Sequence, residues 1–270
     1  MDKTESTSMI KRKKIFIFDL DGTIYLDGVL FPGAAALFEQ LHKMDKDYVF
    51  LTNNSSLSSM AYLHKIQGLG IPCSMKNVAT STQAAIAYLK QHHVNDLIYV
   101  MGTKSMIEEL KEASINVANT YFEGIDGVLI GYDIENSYQK LTDVSRLLTE
   151  GKFYLATNPD LVCPVSFGFV PDCGSFALML ENATHRKPRF LGKPQAEIIE
   201  MIIDRFEVSK EEVILIGDRL YTDIKCGINA KIDTVLVLSG ETTLKDLDAS
   251  EVKPTLVVKD VNEILKLLVG

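Results

Sequence analysis

Short apolar runs of strand length alternate with helical segments along almost the whole chain, and this alternation most constrains the fold. The runs are IFIF at 15, YVFL at 48, LIYVM at 97, VLI at 128, FYLA at 153, VILI at 213, TVLVL at 234 and TLVV at 255. Segments with helical periodicity lie between them, after Pro32-Gly33 and at about 58–67, 81–91, 194–206 and 260–268. Such alternation is typical of a mostly parallel sheet covered by helices. The sequence therefore predicts an α/β fold with a doubly wound, Rossmann-like parallel sheet.

The composition narrows the class of protein. A chain of 270 residues with 46% hydrophobic residues can build a full core, and its four cysteines form no CxxC pair that would indicate zinc or a disulfide framework. The net charge of -8 argues against a nucleic-acid partner. The polar N-terminal segment has no apolar run long enough for a signal peptide or a membrane span, and the basic run at 11–14 is predicted to be a solvated lead-in to the first strand. We expect a cytoplasmic protein with no membrane partner.

Three of the predicted strands end in polar residues. Asp19 and Asp21 follow the first strand, the segment 52–54 ends the second, and Asp218 follows VILI at 213. In an open parallel sheet the binding crevice lies beyond the carboxyl ends of the strands. We therefore expect these side chains to meet there if their strands are neighbours.

The acidic residues themselves favour a metal site. Two carboxylates one residue apart repel each other unless a positive charge lies near them. Oxygen ligands from Asp19, Asp218 and Asp223 suit Mg²⁺. Because residues 19 and 21 point to opposite sides of an extended strand, the strand must break after them if both serve one site, and Gly22 is placed to provide that break.

The spacing of these segments indicates an inserted domain. Roughly 140 residues separate Thr52 from Lys193, whereas a strand-helix-strand unit takes about 30. The excess contains strands and helices of its own. We predict a catalytic core at 1–80 and 187–270 and an inserted α/β cap domain at 81–186, with the two crossings acting as a double hinge.

Four motifs resemble those of the haloacid dehalogenase superfamily in order and spacing. They are DLDGT at 19–23, LTNN at 51–54, LGKP at 191–194 and GDRLYTD at 217–223. The long insertion after the second motif and ATNPD at 156–160 resemble the C2-type cap of the NagD and p-nitrophenyl phosphatase branch. The resemblance covers essentially the whole chain and implies a phosphoric monoester hydrolase.

The resemblance also implies roles for the acidic residues. Asp19 would attack the phosphorus and form an aspartyl phosphate, while Asp21 would protonate the leaving oxygen and then activate water. Mg²⁺ would be held by the Asp19 carboxylate, the backbone carbonyl of Asp21 and the Asp218 carboxylate, with Asp223 in support.

A second group of residues would bind the substrate. The resemblance implies that the phosphoryl oxygens are held by Thr52, Asn53, Asn54 and Lys193. Such roles are physically sensible, because catalysis of phosphoryl transfer rests mainly on positioning and on neutralisation of charge.

One segment of the insertion is expected to set specificity. Residues 159–175 are rich in proline and glycine and are predicted to form a long irregular loop, a type that is often functional. The resemblance suggests that this loop faces the leaving group, and a plain surface loop is the alternative. DCGSF at 172–176 is predicted to start a helix whose amides point at substrate.

The main hypothesis is therefore a Mg²⁺-dependent phosphatase of small phosphorylated metabolites. Candidate substrates are sugar phosphates, nucleoside monophosphates, phosphoglycolate and aryl phosphates such as p-nitrophenyl phosphate. A phosphotransferase or phosphomutase is one alternative, and a non-enzymatic receiver-like module that only accepts a phosphoryl group is another. The physiological substrate and a homo-oligomeric state are left open by the sequence.

Overall fold

The computed structural model describes residues 3–165 and 167–270. Its strands are β1 (Ile15–Phe18), β2 (Tyr25–Leu26), β3 (Val29–Leu30), β4 (Asp47–Thr52), β5 (Val78–Thr80), β6 (Ile98–Met101), β7 (Val117–Ala118), β8 (Gly127–Ile130), β9 (Phe153–Ala156), β10 (Val162–Val165), β11 (Gly168–Pro171), β12 (Arg189–Phe190), β13 (Val213–Gly217), β14 (Asp233–Val237) and β15 (Leu256–Val258). Its α-helices are α1 (Lys3–Arg12), α2 (Ala34–Lys43), α3 (Ser59–Gly68), α4 (Ser81–His92), α5 (Lys104–Glu112), α6 (Tyr138–Thr149), α7 (Cys173–Thr184), α8 (Glu197–Phe206), α9 (Lys225–Ala230), α10 (Leu244–Ala249) and α11 (Val261–Val269). Each of the eight predicted apolar runs overlaps a strand, and five of them lie wholly within one.

The first of two compact units consists of Met1–Thr52, Leu63–Ala79 and Lys193–Gly270. Its sheet has the strand order β15-β14-β13-β1-β4-β5, and β1 pairs in parallel with both β13 and β4. Phe18 lies opposite Ile216 on one side and opposite Phe50 on the other. The carboxyl ends of these three central strands are therefore level with one another.

Aromatic side chains fix the helix α2 on this sheet. Phe38 of α2 is fully buried, and its ring lies 5.2 Å from that of Phe18 and 5.1 Å from that of Phe50. Helix α11 packs against both α1 and α2, and α8 packs against α9. Edge-to-face contacts of this kind add to the free energy gained by burying the rings.

The second unit consists of Asn53–Tyr62 and Thr80–Gly192. Its five-stranded sheet has the order β12-β9-β8-β6-β7, and every neighbouring pair is parallel. Buried residues on one side of the sheet pack with α6 and α7, and those on the other side pack with α4 and α5. Parallel sheets with flanking helices in both units confirm the predicted α/β class.

The division of the chain differs in three places from the predicted domain limits of 80/81 and 186/187. Residues 53–62 and 187–192 group with the second unit, and so does Thr80. The grouping of residues 187–192 has a direct cause, because Arg189 and Phe190 form β12 and pair with β9 of the second sheet. The predicted limits themselves stay a prediction.

The N-terminal segment corrects one expectation. Residues 3–12 form helix α1, in which Met9 and Ile10 are buried, so the segment is not simply a polar lead-in. Lys13 of the basic run, directly after α1, is 4% exposed, lies 2.5 Å from a carboxylate oxygen of Asp233 and donates to the carbonyl of Glu211. The prediction of a solvated run at 11–14 is therefore wrong for Lys13.

The segment 159–175 corrects a second expectation. It is not an irregular loop, because β10 and β11 form an antiparallel hairpin in which Val162 lies opposite Pro171. These strands were not predicted because each contains a proline, Pro164 or Pro171. Proline is rare in sheet interiors and is tolerated only where a backbone N–H is not needed for a hydrogen bond. Helix α7 does begin at DCGSF, with the Asp172 side chain as its N-cap.

Within the described residues, no helix is both long enough and apolar enough to cross a membrane.

Candidate active site

Three buried aspartates meet at the carboxyl ends of the central strands of the first unit. Asp19 directly follows β1, and its backbone N–H donates to the carbonyl of Ile216 at 2.8 Å. Asp218 directly follows β13, and Asp223 lies on a short π-helical turn, Leu220–Ile224. One carboxylate oxygen from each of the three lies within 4.8 Å of the others. The strand register described above is what brings Asp19 and Asp218 together.

Lys193 places a cation among these acids. The residue is 2% exposed, and its ammonium donates to Asp19 Oδ1, to Asp223 Oδ1 at 2.6 Å and to the carbonyl of Leu51 at 3.3 Å. Within the described residues, nothing donates a hydrogen bond to Asp19 Oδ2. Asp19 is thus held by one oxygen while the other remains available for chemistry.

The charges in this cluster do not balance. Burial raises the pKa of Asp19 well above its usual range, and Lys193 offsets only part of that effect. Burial, followed by the nearby charge of Asp223, raises the pKa of Asp218 to about 6. Burial alone would lower the pKa of Lys193, but Asp19 and Asp223 outweigh it and raise the pKa above its usual value. One lysine faces three carboxylates, so the cluster favours a further cation.

Hydrogen bonds from neighbouring groups orient two of the acids. Asp218 Oδ2 accepts from the backbone N–H of Glu241 at 2.7 Å, and its Oδ1 accepts from the Thr23 hydroxyl at 3.4 Å. Asp223 Oδ2 accepts from the backbone N–H of Arg219 at 3.0 Å. An all-oxygen donor set that is buried and oriented in this way fits a hard divalent cation such as Mg²⁺.

Glycines allow the chain to pass close to Asp218. Gly22 has a φ of +83°, and a Cβ at this position would lie 2.6 Å from Asp218 Oδ2. A Cβ at Gly240 would lie 2.0 Å from the same oxygen. Gly22 N–H donates to the carbonyl of Tyr25, so the chain turns directly after Asp21, where the sequence predicts a break.

Asp21 lies outside the cluster of three carboxylates. The Tyr25 hydroxyl donates to Asp21 Oδ2 at 3.4 Å, and the Lys65 ammonium donates to that hydroxyl at 2.8 Å. Burial raises the pKa of Asp21, and Lys65 counteracts this in part. A carboxyl group with a raised pKa holds a proton closer to neutral pH, as a general acid requires.

The remaining predicted substrate-binding residues lie at the end of β4. Thr52 is the last residue of β4 and is 4% exposed. Asn53 and Asn54 belong to the second unit, where Asn53 Nδ2 donates to Asp160 Oδ2 at 2.7 Å and Asn54 Oδ1 accepts from Ser56. Their predicted role toward a phosphoryl group stays a prediction.

Comparison with known proteins decides the family. A family model described as haloacid dehalogenase-like hydrolase matches residues 16–116, and one described as HAD-hydrolase-like matches residues 190–264. The acid sugar phosphatase of Staphylococcus epidermidis is 32% identical over 253 residues, which cover 94% of this chain and 97% of that protein. The chain belongs to the haloacid dehalogenase-like hydrolases.

Solved structures of this family have the same fold. A 4-nitrophenylphosphatase from Thermotoga maritima is 38% identical, with a TM-score of 0.91 and coverage of 96% of this chain and 98% of that one. A double mutant of a thermostable NPPase from Geobacillus stearothermophilus is 32% identical, with a TM-score of 0.84 and coverage of 93% and 98%. The predicted Rossmann-like core and the NagD and p-nitrophenyl phosphatase branch are confirmed, and the protein is a haloacid dehalogenase-type phosphatase.

The structure adds residues to the haloacid dehalogenase site that the sequence analysis did not assign. Thr23 lies within the DLDGT motif, so its contact with Asp218 could have been anticipated from that motif. Tyr25 and Lys65 are brought to Asp21 by the β2 strand and by α3, and no spacing in the sequence links them. The backbone N–H of Glu241 has no signal in side-chain patterns at all.

Proposed function

We propose that this phosphatase hydrolyses small phosphorylated metabolites, sugar phosphates foremost, through an aspartyl phosphate on Asp19 and with Mg²⁺ as cofactor. The observation that carries the proposal is the buried cluster in which Lys193 contacts Asp19 and Asp223 beside Asp218. Phosphoryl transfer requires neutralisation of the charge on the phosphoryl oxygens. In this cluster the lysine supplies one positive charge, and the three acids can hold a metal ion that supplies more.

The first step transfers the phosphoryl group to the enzyme. Asp19 Oδ2 attacks the phosphorus, and the bond between phosphorus and the leaving oxygen breaks. Asp21, whose pKa is raised by burial, gives its proton to that oxygen, so the alcohol leaves as a neutral molecule. Lys193 lies against Asp19 and neutralises negative charge on the transferred group.

The second step returns the enzyme to its starting state. Asp21, now ionised, takes a proton from a water molecule as the water oxygen attacks the phosphorus. The bond between phosphorus and the Asp19 oxygen breaks, which releases inorganic phosphate and restores both carboxyl groups. One side chain thus acts as acid in the first step and as base in the second.

The metal would be held by the acids of the cluster. Asp19 and Asp218 would provide carboxylate oxygens, Asp21 its backbone carbonyl, and Asp223 would support them through Lys193. When bound, Mg²⁺ supplies positive charge that stabilises the phosphoryl oxygens.

Alanine at Gly22 is expected to weaken Mg²⁺ binding by about 10- to 100-fold, because the added Cβ would displace the Asp218 carboxylate. Gly28→Ala is the matched control, since Gly28 also has a positive φ of +77°, but among the described residues beyond its two chain neighbours no atom lies within 4 Å of its added Cβ. Isothermal titration of each variant with Mg²⁺ measures the difference. Equal affinities in the two variants would show that Asp218 tolerates the displacement or does not bind the metal.

The proposed substrates follow from the relatives and from the chemistry of the site. Relatives at 32% and 38% identity are named an acid sugar phosphatase and a 4-nitrophenylphosphatase. We therefore place sugar phosphates and aryl phosphates ahead of nucleoside monophosphates and phosphoglycolate. The predicted cap role of the second unit and the cytoplasmic location remain parts of this proposal, and a cap favours substrates smaller than a folded protein.

The test is a screen for phosphate release from some tens of phosphorylated metabolites, with Mg²⁺ and with EDTA. We expect turnover of several sugar phosphates and of p-nitrophenyl phosphate in Mg²⁺, and loss of turnover in EDTA. Isomerisation without phosphate release would favour the phosphomutase alternative. Uptake of one phosphoryl group per chain without turnover would favour the receiver-like alternative.

Asp21→Asn is expected to lower kcat by about 10²- to 10⁴-fold, the usual contribution of a general acid and base, while Mg²⁺ affinity changes little. The metal contact proposed for Asp21 uses its backbone, which the substitution leaves in place. Steady-state kinetics and Mg²⁺ titration of the same preparation separate the two effects. A drop in Mg²⁺ affinity as large as that of Asp218→Asn would contradict this division of roles.

A further inference from the structure

The chain leaves the second unit beside two of the residues proposed to hold the phosphoryl group. The chain passes between the two units at four peptide bonds. We call two of them the exits: the bond between Thr52 and Asn53 and the bond between Gly192 and Lys193. Asn53 of the second unit is bonded to Thr52, and Gly192 of the second unit is bonded to Lys193. Contacts that hold Asn53 and Gly192 in place therefore also restrict the positions of Thr52 and Lys193.

These two points contact each other within the second unit. A Cβ at Gly192 would lie 2.6 Å from Asn53 Oδ1 and 2.6 Å from the carbonyl of Thr157, so the backbone of Gly192 packs directly on both. Gly192 N–H donates to that carbonyl at 2.7 Å. The hydroxyl of Ser81 donates to the Asn53 carbonyl at 2.6 Å. The second-unit residues at the two exits, Asn53 and Gly192, are therefore buried in contact with each other.

A buried carboxylate holds this site together. Asp160 is 2% exposed, and its Oδ2 accepts from Asn53 Nδ2 at 2.7 Å and from Asn158 Nδ2 at 2.8 Å. Asn158 Nδ2 also lies 3.2 Å from Asp172 Oδ1. Residues 157–160 belong to the ATNPD motif, to which the reaction described above gives no role.

A different aspartate caps α7. The side chain of Asp172 is the N-cap of that helix, and the backbone carbonyl of Asp160 accepts from Gly174 N–H at 2.8 Å. A carboxyl group is costly to bury unless hydrogen-bond donors satisfy its oxygens. Here one of those donors is Asn53, next in the chain to Thr52.

We propose that Asp160 is a positioning residue for the phosphatase reaction, acting through Asn53 on Thr52 and, through the packing of Asn53 on Gly192, on Lys193. The proposal rests on the proposed function, since it takes Thr52 and Lys193 as residues that hold the phosphoryl group. Loss of the Asp160 carboxylate would release the Asn53 amide and loosen both exits. Displacements of about 1 Å at groups that hold a reacting substrate can lower rates by about 100-fold.

The test compares Asp160→Ala and Asp160→Asn with a matched control, Asp143→Ala. Asp143 is also a buried aspartate of the second unit that accepts two side-chain hydrogen bonds, from Tyr99 at 3.1 Å and from Gln139 at 2.8 Å, but it lies on α6 away from the exits in the chain. The measurements are kcat and KM for p-nitrophenyl phosphate with Mg²⁺, and the thermal unfolding midpoint of each variant.

We expect Asp160→Ala to lower kcat/KM by about 30- to 100-fold at a temperature where it is fully folded. Asp160→Asn, which keeps an accepting oxygen, should recover activity to within about fivefold of wild type. Asp143→Ala should lose a similar amount of stability yet keep kcat/KM within about twofold. Equal kcat/KM for the two alanine variants would overturn the proposal, and so would an Asp160→Asn variant as inactive as the alanine variant.

Two further measurements keep the result unambiguous. If Asp160→Ala does not fold, Ser81→Ala removes the hydrogen bond from the Ser81 hydroxyl to the Asn53 carbonyl without changing a charge, and kcat/KM should fall about fivefold. Unchanged kcat/KM in Ser81→Ala would then overturn the proposal. Full turnover by Asp19→Asn would instead reject the proposed function, which separates that failure from a failure of the positioning role.

Discussion

Asp19→Asn is expected to abolish phosphate release, with kcat lower by at least about 10³-fold, while the protein stays folded. An amide cannot attack phosphorus as a carboxylate does, and Asp19 is the cluster residue with an oxygen that no described residue occupies by hydrogen bonding. Stability should change little, because Lys193 keeps its contact with Asp223 and the cluster loses one of three negative charges. Phosphate release and circular dichroism on the same samples measure both properties.

Asp27→Asn is the matched control for this substitution. Asp27 is exposed in the turn between β2 and β3 and has a positive φ of 50°, which asparagine tolerates well. Its activity should equal that of the wild type. Mass spectrometry of acid-quenched protein should detect a phosphoryl group on the peptide that contains Asp19 in the wild type and none in Asp19→Asn. Normal turnover by Asp19→Asn would reject the assignment of the nucleophile.

Lys193→Met should damage both activity and stability. Removal of the ammonium leaves three buried carboxylates without the cation that contacts two of them. We expect kcat/KM to fall by about 10²- to 10³-fold, as when one charge-stabilising donor is lost, and the free energy of unfolding to fall by about 3–5 kcal/mol. Kinetics and chemical denaturation measure these two effects.

The stability loss in Lys193→Met should depend on pH. In the folded wild type, burial raises the pKa of Asp19 and Lys193 partly offsets this, so the pKa rises further in the variant. A carboxyl group whose folded-state pKa lies above its unfolded value destabilises the fold as it ionises. The difference in unfolding free energy between wild type and variant should therefore be larger near pH 8 than near pH 5, and added Mg²⁺ should reduce it.

Lys13→Met provides the control for a buried lysine. Lys13 pairs with Asp233 in the same unit but lies before β1, at the opposite end of the strand from Asp19. Its loss should lower stability without lowering kcat/KM in fully folded protein. A comparable drop in kcat/KM in both lysine variants would indicate that the effect of Lys193 is general destabilisation.

The central strands and most residues of the acidic cluster could be predicted from the sequence. Strands buried on both faces appear as continuous apolar runs, so each could be located, and Asp19 and Asp218 follow two of them directly. The residues around Asp21 could not be predicted, because Tyr25 and Lys65 come from elements that only the folded chain brings together. Tertiary contacts of this kind leave no periodic signal.

The two wrong predictions have different physical origins. Helix α1 was missed because its buried side is narrow: Ser6, Met9 and Ile10 are buried among mostly polar neighbours, so composition masked the helical spacing. The β10–β11 hairpin was missed because prolines in both strands indicated a loop. In a two-stranded hairpin a proline can lie where no ladder hydrogen bond is required, and the usual penalty does not apply.

The strand order has a consequence for how the protein matures on the ribosome. The central strand β1 pairs with β4 and β13, and β13 is synthesised about 200 residues after β1. Until then β1 has only one of its two neighbouring strands. All residues of the inserted unit have been synthesised by Gly192, whereas β13, β14 and β15 are still to come. Nascent chains should therefore complete the inserted unit first and assemble the acidic cluster only after β13 and the segment that carries Asp223 have been synthesised.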